Sequence, residues 1–251
     1  MVRILLTNDD GIGAPGLLAL EETLADLGEV HVVAPLNEQS GTSRAITLRR
    51  PLRFVPKGPR RYAVEGTPAD TVTMAVIQIL DFTPDLVISG INSGPNLGEN
   101  IYYSGTVAAA AEAAKYGIPA IALSVNARTN IDYRQTAELA PRIASRVLED
   151  GLPPGVALNV NIPHPWDGAI EITRQSRKIS SNLMIEVSDP SGRPYYLMHE
   201  EVPLTDAESG TDYAAIRDGK VSITPIRFDH TEEALIEPLR DLAAGVLVPR
   251  Q

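Results

Sequence analysis

Short apolar runs alternate with amphipathic stretches along most of this chain, and glycine, proline or a polar turn closes each run. The first run, Ile4 to Leu6, is unbroken, the pattern of a fully buried strand. It stops at Thr7-Asn8-Asp9-Asp10-Gly11. Leu17, Leu20, Leu24 and Leu27 then recur at helical spacing until Gly28. The strand pattern returns at Val30 to Ala34, Asp85 to Ser89, Ile118 to Ser124 and Val156 to Asn161. Ile46 to Leu48, Leu52 to Val55 and Tyr62 to Val64 read as shorter strands, split by Pro51 and by Lys57-Gly58-Pro59. A helix is predicted from Pro68 to about Leu80, with Thr67 as its cap and Asp70 beside its positive end. A second follows Ser104-Gly105-Thr106 in an alanine-rich stretch, and a third spans Tyr133 to Leu148.

From about Ile170 the alternation changes. Met184 to Val187 and Pro194 to Met198 flank Ser188 to Arg193, a hairpin pattern. Lys220 to Pro225 is a strand candidate. A last helix is expected from a Thr231 cap, with Leu235, Leu239 and Leu242 as its apolar side and a kink or stop at Pro238. The expected organisation is an α/β core over 1–169 and an extension over 170–251. A hairpin with no sheet of its own is marginally stable, so the extension is expected to pack on another subunit.

Composition narrows the chemistry. A chain of 251 residues suits one large domain with an extension and buries roughly three quarters of its unfolded surface. The absence of cysteine excludes disulfides, thiolate metal sites and a cysteine nucleophile. With no secretory segment and no long apolar run, the expectation is a soluble cytoplasmic protein with no membrane partner. A net charge of −10 argues against a nucleic-acid polymer as partner. Between Gln39 and Val64 there is no acid, while arginine is frequent. Most of these cations suit a solvated strand face, and a minority could steer an anion.

Three strand exits stand out: Asn8-Asp9-Asp10-Gly11, Gln39-Ser40-Gly41-Thr42 and Ile91-Asn92-Ser93-Gly94. In a parallel sheet all three open on one edge, where ligands bind. Alone, Asp9 and Asp10 suit a turn whose acid caps the next helix. Together the three loops offer two carboxylates, a hydroxyl and an amide carbonyl. That all-oxygen set suits a hard cation such as Mg²⁺ or Mn²⁺, and the loops hold no histidine for zinc. Ser104-Gly105-Thr106 opens a helix, so it reads either as an ordinary Thr106 cap or as an anion site on the same rim. Beside a cation, a phosphate bridging metal and helix start is the better account, with a water readied for in-line attack.

Several motifs, in order, resemble the survival protein SurE family: Thr7 to Gly11, Ala34-Pro35 through Glu38 to Arg44, Gly66 to Asp70, Ser89 to Gly98, Tyr103 to Val107 and Thr173 to Arg177. The resemblance covers nearly the whole chain. It implies a Rossmann-like, mostly parallel sheet flanked by helices, with a C-terminal part that takes part in homodimers or homotetramers. It implies a metal-dependent phosphatase of nucleoside 5′- and 3′-monophosphates, an acid-type phosphatase of which some relatives also cleave short polyphosphate. Carried over by motif, one divalent ion per subunit would be held by Asp9, Asp10, Ser40 and Asn92. Asn96, Ser104, Gly105 and Thr106 would hold the phosphate. Asp9 and Asp10 are the candidate catalytic residues, Asp9 holding both the metal and the attacking water, a role that spacing does not supply. Leu36 departs from the family pattern, which often has an acid after Ala-Pro.

Two other readings compete. A haloacid-dehalogenase-type phosphatase with an aspartyl nucleophile wants two acids two residues apart, and Asn8 occupies one of those places. A non-enzymatic phospho-receiver module is about half this length and needs a lysine late in the sheet, which Ile118 to Ser124 does not supply.

Overall fold

The computed structural model describes residues 1–166, 168–177, 181–201 and 208–242. The chain folds as an α/β protein around one nine-stranded sheet. Its strands are β1 (Arg3–Thr7), β2 (Glu29–Pro35), β3 (Phe54–Gly58), β4 (Arg61–Val64), β5 (Leu86–Ser93), β6 (Ala120–Asn126), β7 (Val156–Pro163), β8 (Ile170–Ile172) and, beyond a separate hairpin, β11 (Val221–Arg227). The order across the sheet is β3-β4-β2-β1-β5-β6-β7-β11-β8. The six strands from β4 to β7 in that order run parallel, while β3 and β11 pair antiparallel with β4 and β7. The chain moves outward from β1 in both directions, so the switch of strand order lies at β1 and β5. In open α/β sheets the crevice outside such a switch is where ligands bind.

Alternation along β1 sorts its side chains between two cores. Ile4 and Leu6 join Leu17, Leu20 and Leu24 of α1 (Pro15–Leu24) on one face. Leu5 faces the other side, against Val72 of α2 (Pro68–Met74) and Val107 and Ala110 of α3 (Gly105–Lys115). Each such leucine contributes about 1.5–3 kcal/mol when fully buried. The alanines of α3 let its backbone lie close to the sheet, which seats the start of the helix on the strand exits.

Four sequence expectations are corrected. Ile46 to Leu48 is not a strand: the Thr47 amide donates to Asp70 Oδ1 at 2.8 Å and its hydroxyl to Oδ2 at 2.6 Å, so Asp70 takes the donors a ladder needs. Asp70 also closes a capping box with Thr67. The predicted helix to Leu80 changes pitch after Met74 and finishes as a π-helical turn, Ala75–Ile79. The predicted helix from Tyr133 to Leu148 is two, α4 (Tyr133–Ala137) and α5 (Ala140–Asp150). Pro141, with no N–H and a ring that clashes with the preceding turn, fits only the first turn of a helix. No helix starts at a Thr231 cap. The Thr231 amide donates to Asp229, a 3₁₀ turn forms over Glu233–Leu235, α-helix begins only at residues 240–242, and Leu235, Leu239 and Leu242 are exposed. Pro238, without an N–H, lies between that turn and the helical residues 240–242, so the predicted helix is interrupted there.

The hairpin forms as expected and is longer: β9 (Ser181–Ser188) and β10 (Pro194–Glu201) make a separate two-stranded sheet. Asp189 Oδ1 closes its turn by accepting from the Ser191 and Arg193 amides. α6 (Asp212–Arg217) packs against β11 and β7. The main sheet therefore takes in β8 and β11 from beyond residue 169, while residues 243–251 of the expected extension lie outside the described residues. Among the described residues no helix is long and apolar enough to cross a membrane.

Candidate active site

The acidic turn after β1 is closed by neither of its acids. Asn8 closes it, donating to the Gly11 carbonyl at 2.9 Å and accepting from the Gly11 amide at 3.2 Å. Gly11 sits at φ +100°, which favours glycine. The N-cap of α1 is Ala14, with no side-chain cap. The turn-and-cap reading of Asp9 and Asp10 is thereby corrected: both carboxylates are left to point elsewhere.

Asp9 points at the start of α3. Its Oδ1 accepts from the Thr106 hydroxyl at 2.5 Å, and the Thr106 amide also donates to it. Gly105 makes room for this approach, since a Cβ there would lie 2.7 Å from Asp9 Cβ and 2.9 Å from Oδ2. The cap of α3 is Ser104, accepting from the Val107 amide at 3.1 Å, and not Thr106. Thr106 thus acts on Asp9, which the sequence reading placed against phosphate.

The other loops are tied to the same place. The Gln39 amide donates to the Asp9 carbonyl at 2.7 Å. Ser43 bonds the carbonyls of Tyr102 and Tyr103, joining that loop to the one before α3. Ser40 donates its hydroxyl hydrogen to Glu38 at 2.8 Å, and Asn92 donates its amide to the Gly94 carbonyl at 2.8 Å. Both side chains spend hydrogens on the protein and keep oxygen acceptors. Asp9, Ser40, Asn92, Asn96 and Ser104 line one cavity of 510 Å³ with Glu99, Tyr103, Arg128 and Met198.

The acids repel. Burial pushes the Asp9 carboxyl up from its ordinary value, against the opposing hydrogen bonds from Thr106. Burial, then the neighbouring Asp9 charge, pushes Asp10 up to about 6 although the Ser93 backbone bonds it. Among the described residues neither carboxylate has a basic partner at ion-pair distance. Two uncompensated acids, Asp9 buried and Asp10 half-buried, beside oxygens left as acceptors fit a hard cation. Among the described residues no three His, Asp or Glu side chains gather as a metal cage, so the set is two carboxylates with neutral oxygens.

The family model described as survival protein SurE matches residues 4–182. The chain belongs to the SurE family. It is 42% identical over 254 residues to the 5′-nucleotidase SurE of Alkalilimnicola ehrlichii, covering 100% of this chain and 99% of that one. The 5′-nucleotidase SurE 1 of Thermus thermophilus is 45% identical over 256 residues, covering 98% and 99%. The crystal structure of the SurE protein from Aquifex aeolicus superposes with a TM-score of 0.87 at 41% identity, covering 96% of this chain and 99% of that one.

In this SurE chain several supporting residues escaped the sequence reading. The Asn96 backbone is gripped by β7: its amide donates to Asn161 Oδ1 at 2.7 Å, and its carbonyl accepts from Asn159 and Asn161. Its side-chain amide donates to Ser124 at 2.9 Å. The signal was present as two asparagines, two apart, in an otherwise apolar run. Asp212, fully buried, accepts from the amides of Gly98, Ser176 and Tyr213. Gln175 donates to the Gly98 carbonyl at 2.9 Å, so the Thr173 to Arg177 motif holds the glycine-rich loop from behind.

Proposed function

We propose that this chain removes phosphate from nucleoside 5′-monophosphates, and also from 3′-monophosphates and short polyphosphate, with one divalent ion, Mg²⁺ or Mn²⁺, per subunit. As a SurE member it is a phosphoric monoester hydrolase. The observation that carries the reading is the uncompensated Asp9–Asp10 pair, with Asp9 bonded to the first turn of α3. Asp9, Asp10, Ser40 and Asn92 would hold the ion. When bound, it would draw charge from the phosphoryl oxygens and make a nearby water more acidic.

The rest falls to the chain itself. The Gly105 amide and the positive end of α3 favour phosphoryl oxygens. Asn96 and Ser104 line the same cavity and supply hydrogen-bond donors to the phosphate. Thr106 fixes the Asp9 carboxylate, whose burial makes it a stronger base toward a water aligned opposite the leaving oxygen. Asn8 is spent on Gly11, which favours water attack over an aspartyl nucleophile that wants a second acid there.

The hairpin supports assembly as a homodimer or homotetramer. Met184, Ile185, Tyr195, Tyr196, Leu197 and Met198 are all exposed on it, an apolar load a lone hairpin does not keep in water. In this reading 1–169 carries the chemistry and 170–251 the assembly contacts. The deciding experiment measures free phosphate from a nucleotide and polyphosphate panel against several divalent ions. Release is expected only with added ion, and Asp9→Asn is expected to abolish it in a folded protein. Release that survives exhaustive chelation refutes the metal requirement, and an acyl-phosphate trapped on Asp9 or Asp10 refutes water attack.

A further inference from the structure

Resting on the phosphatase reading, we propose that Arg128 contacts the substrate's phosphate and sets the affinity for it. Arg128 lies two residues beyond β6, whose carboxyl end opens on the same sheet edge as β1 and β5. Its guanidinium lies on Gly94: a Cβ there would sit 3.3 Å from both Cζ and Nη1. Gly94 is the residue whose carbonyl holds the Asn92 amide. The guanidinium is therefore seated on the turn that carries one of the four candidate metal oxygens.

The charge around the cavity gives that position its meaning. Asp9 and Glu99 line it, with Asp10 and Glu38 close enough to Asp9 to act on it or be acted on by it. Arg128 is the only cationic side chain among the described lining residues. Arg53, Arg60, Arg61 and Arg134 are paired with glutamates, and Arg3 and Arg44 lie over phenylalanine rings. Arg128 has no such carboxylate or ring among the described residues. A planar guanidinium matches two phosphoryl oxygens at once. In a chain of net charge −10, a dianionic substrate is repelled at long range, so a local cation at the cavity rim offsets a real penalty. The residue acts on binding and takes no proton in the reaction.

The test uses Arg128→Ala and Arg128→Lys in the full chain with Mg²⁺. Four constants are measured: kcat and KM for a nucleoside 5′-monophosphate, and competitive inhibition by inorganic phosphate and by the free nucleoside. Phosphate binding is also titrated calorimetrically. Arg128→Ala is expected to raise KM and the phosphate constant together by about tenfold, the loss of one charge-assisted contact. Turnover is expected to stay within about twofold, because a phosphate contact made equally in the ground and transition states changes KM and not kcat, and the nucleoside constant is expected to stay unchanged. Arg128→Lys is expected to recover part of the loss, keeping the charge without the fork. Unchanged KM and phosphate constants overturn the proposal. A weakened nucleoside constant with phosphate unchanged also overturns it, assigning Arg128 to the base or ribose. If the unmodified protein turns over no nucleotide, the phosphatase reading fails, and the calorimetric comparison still decides whether Arg128 holds phosphate.

Discussion

Replacing Asp10 by Asn is expected to stabilise the metal-free protein while disabling it. Burial and the Asp9 charge move the Asp10 carboxyl from 3.8 to about 6. The folded state therefore binds a proton more tightly than the unfolded state, and stability falls as pH rises from about 4 to 6. At about 1.36 kcal/mol per unit, the ceiling on this cost at pH 8 is about 3 kcal/mol. Asp10 is only partly buried, so solvent screening reduces the realistic figure to about 1–2 kcal/mol. Asn keeps an acceptor for the Ser93 backbone and removes the charge. It also relieves Asp9, because the pair titrates as one unit. The variant should melt about 2–8 °C higher than the unmodified protein at pH 8 in EDTA. Urea unfolding at low protein concentration should show this gap shrinking toward zero as pH approaches 4. Millimolar Mg²⁺ should reverse the order, raising the unmodified protein by about 2.7 kcal/mol at one hundred times its dissociation constant and leaving the variant nearly unmoved. If Asn is destabilising in EDTA, by the same amount at pH 5 and pH 8, then the Asp10 carboxylate is a structural acceptor and the cation argument fails.

Two more perturbations probe how Asp9 is held. Gly105→Ala places a Cβ 2.7 Å from Asp9 Cβ and 3.0 Å from Pro68 Cγ, so either the helix start or the acid must move. The expectation is a loss of about 1–3 kcal/mol in unfolding free energy and a fall of about 100-fold in kcat, and unchanged turnover would mean that the contact is not used. Thr106→Val removes the hydroxyl that favours the charged form of Asp9, so the Asp9 carboxyl should rise further. The acid limb of kcat/KM should then move to higher pH by about one unit, the weight of one hydrogen bond to a charged group. A limb that stays in place assigns the titration to another group.

What the sequence made visible and what it hid divide by distance along the chain. The turn, cap and strand-end signals are local. Thr67 and Asp70 cap each other across three residues, so residue type and spacing are enough to find them, whereas in the acidic turn the same kind of signal points to Asp9 and Asp10 and it is Asn8 that bonds Gly11. The convergence of Asp9, Ser40 and Asn92 was also legible, because parallel strands oblige their exits to share an edge. Pro141 was a local signal passed over in favour of the apolar periodicity around it. The supports behind the site are of another kind. Asn161 grips Asn96 across 65 residues, and Asp212 grips Gly98 across 114. Nothing near either residue in the chain says which backbone it will meet, and a buried carboxylate in α6 reads like an ordinary first-turn acid. These long-range contacts set the position of the glycine-rich loop between β5 and α3, and with it the cavity wall from Asn96 to Tyr103. The candidate metal set therefore lies on geometry that the sheet imposes, whereas the candidate phosphate wall lies on hydrogen bonds made by β7 and by the chain beyond residue 170. A lesion at Asp212 should accordingly weaken nucleotide affinity more than ion affinity.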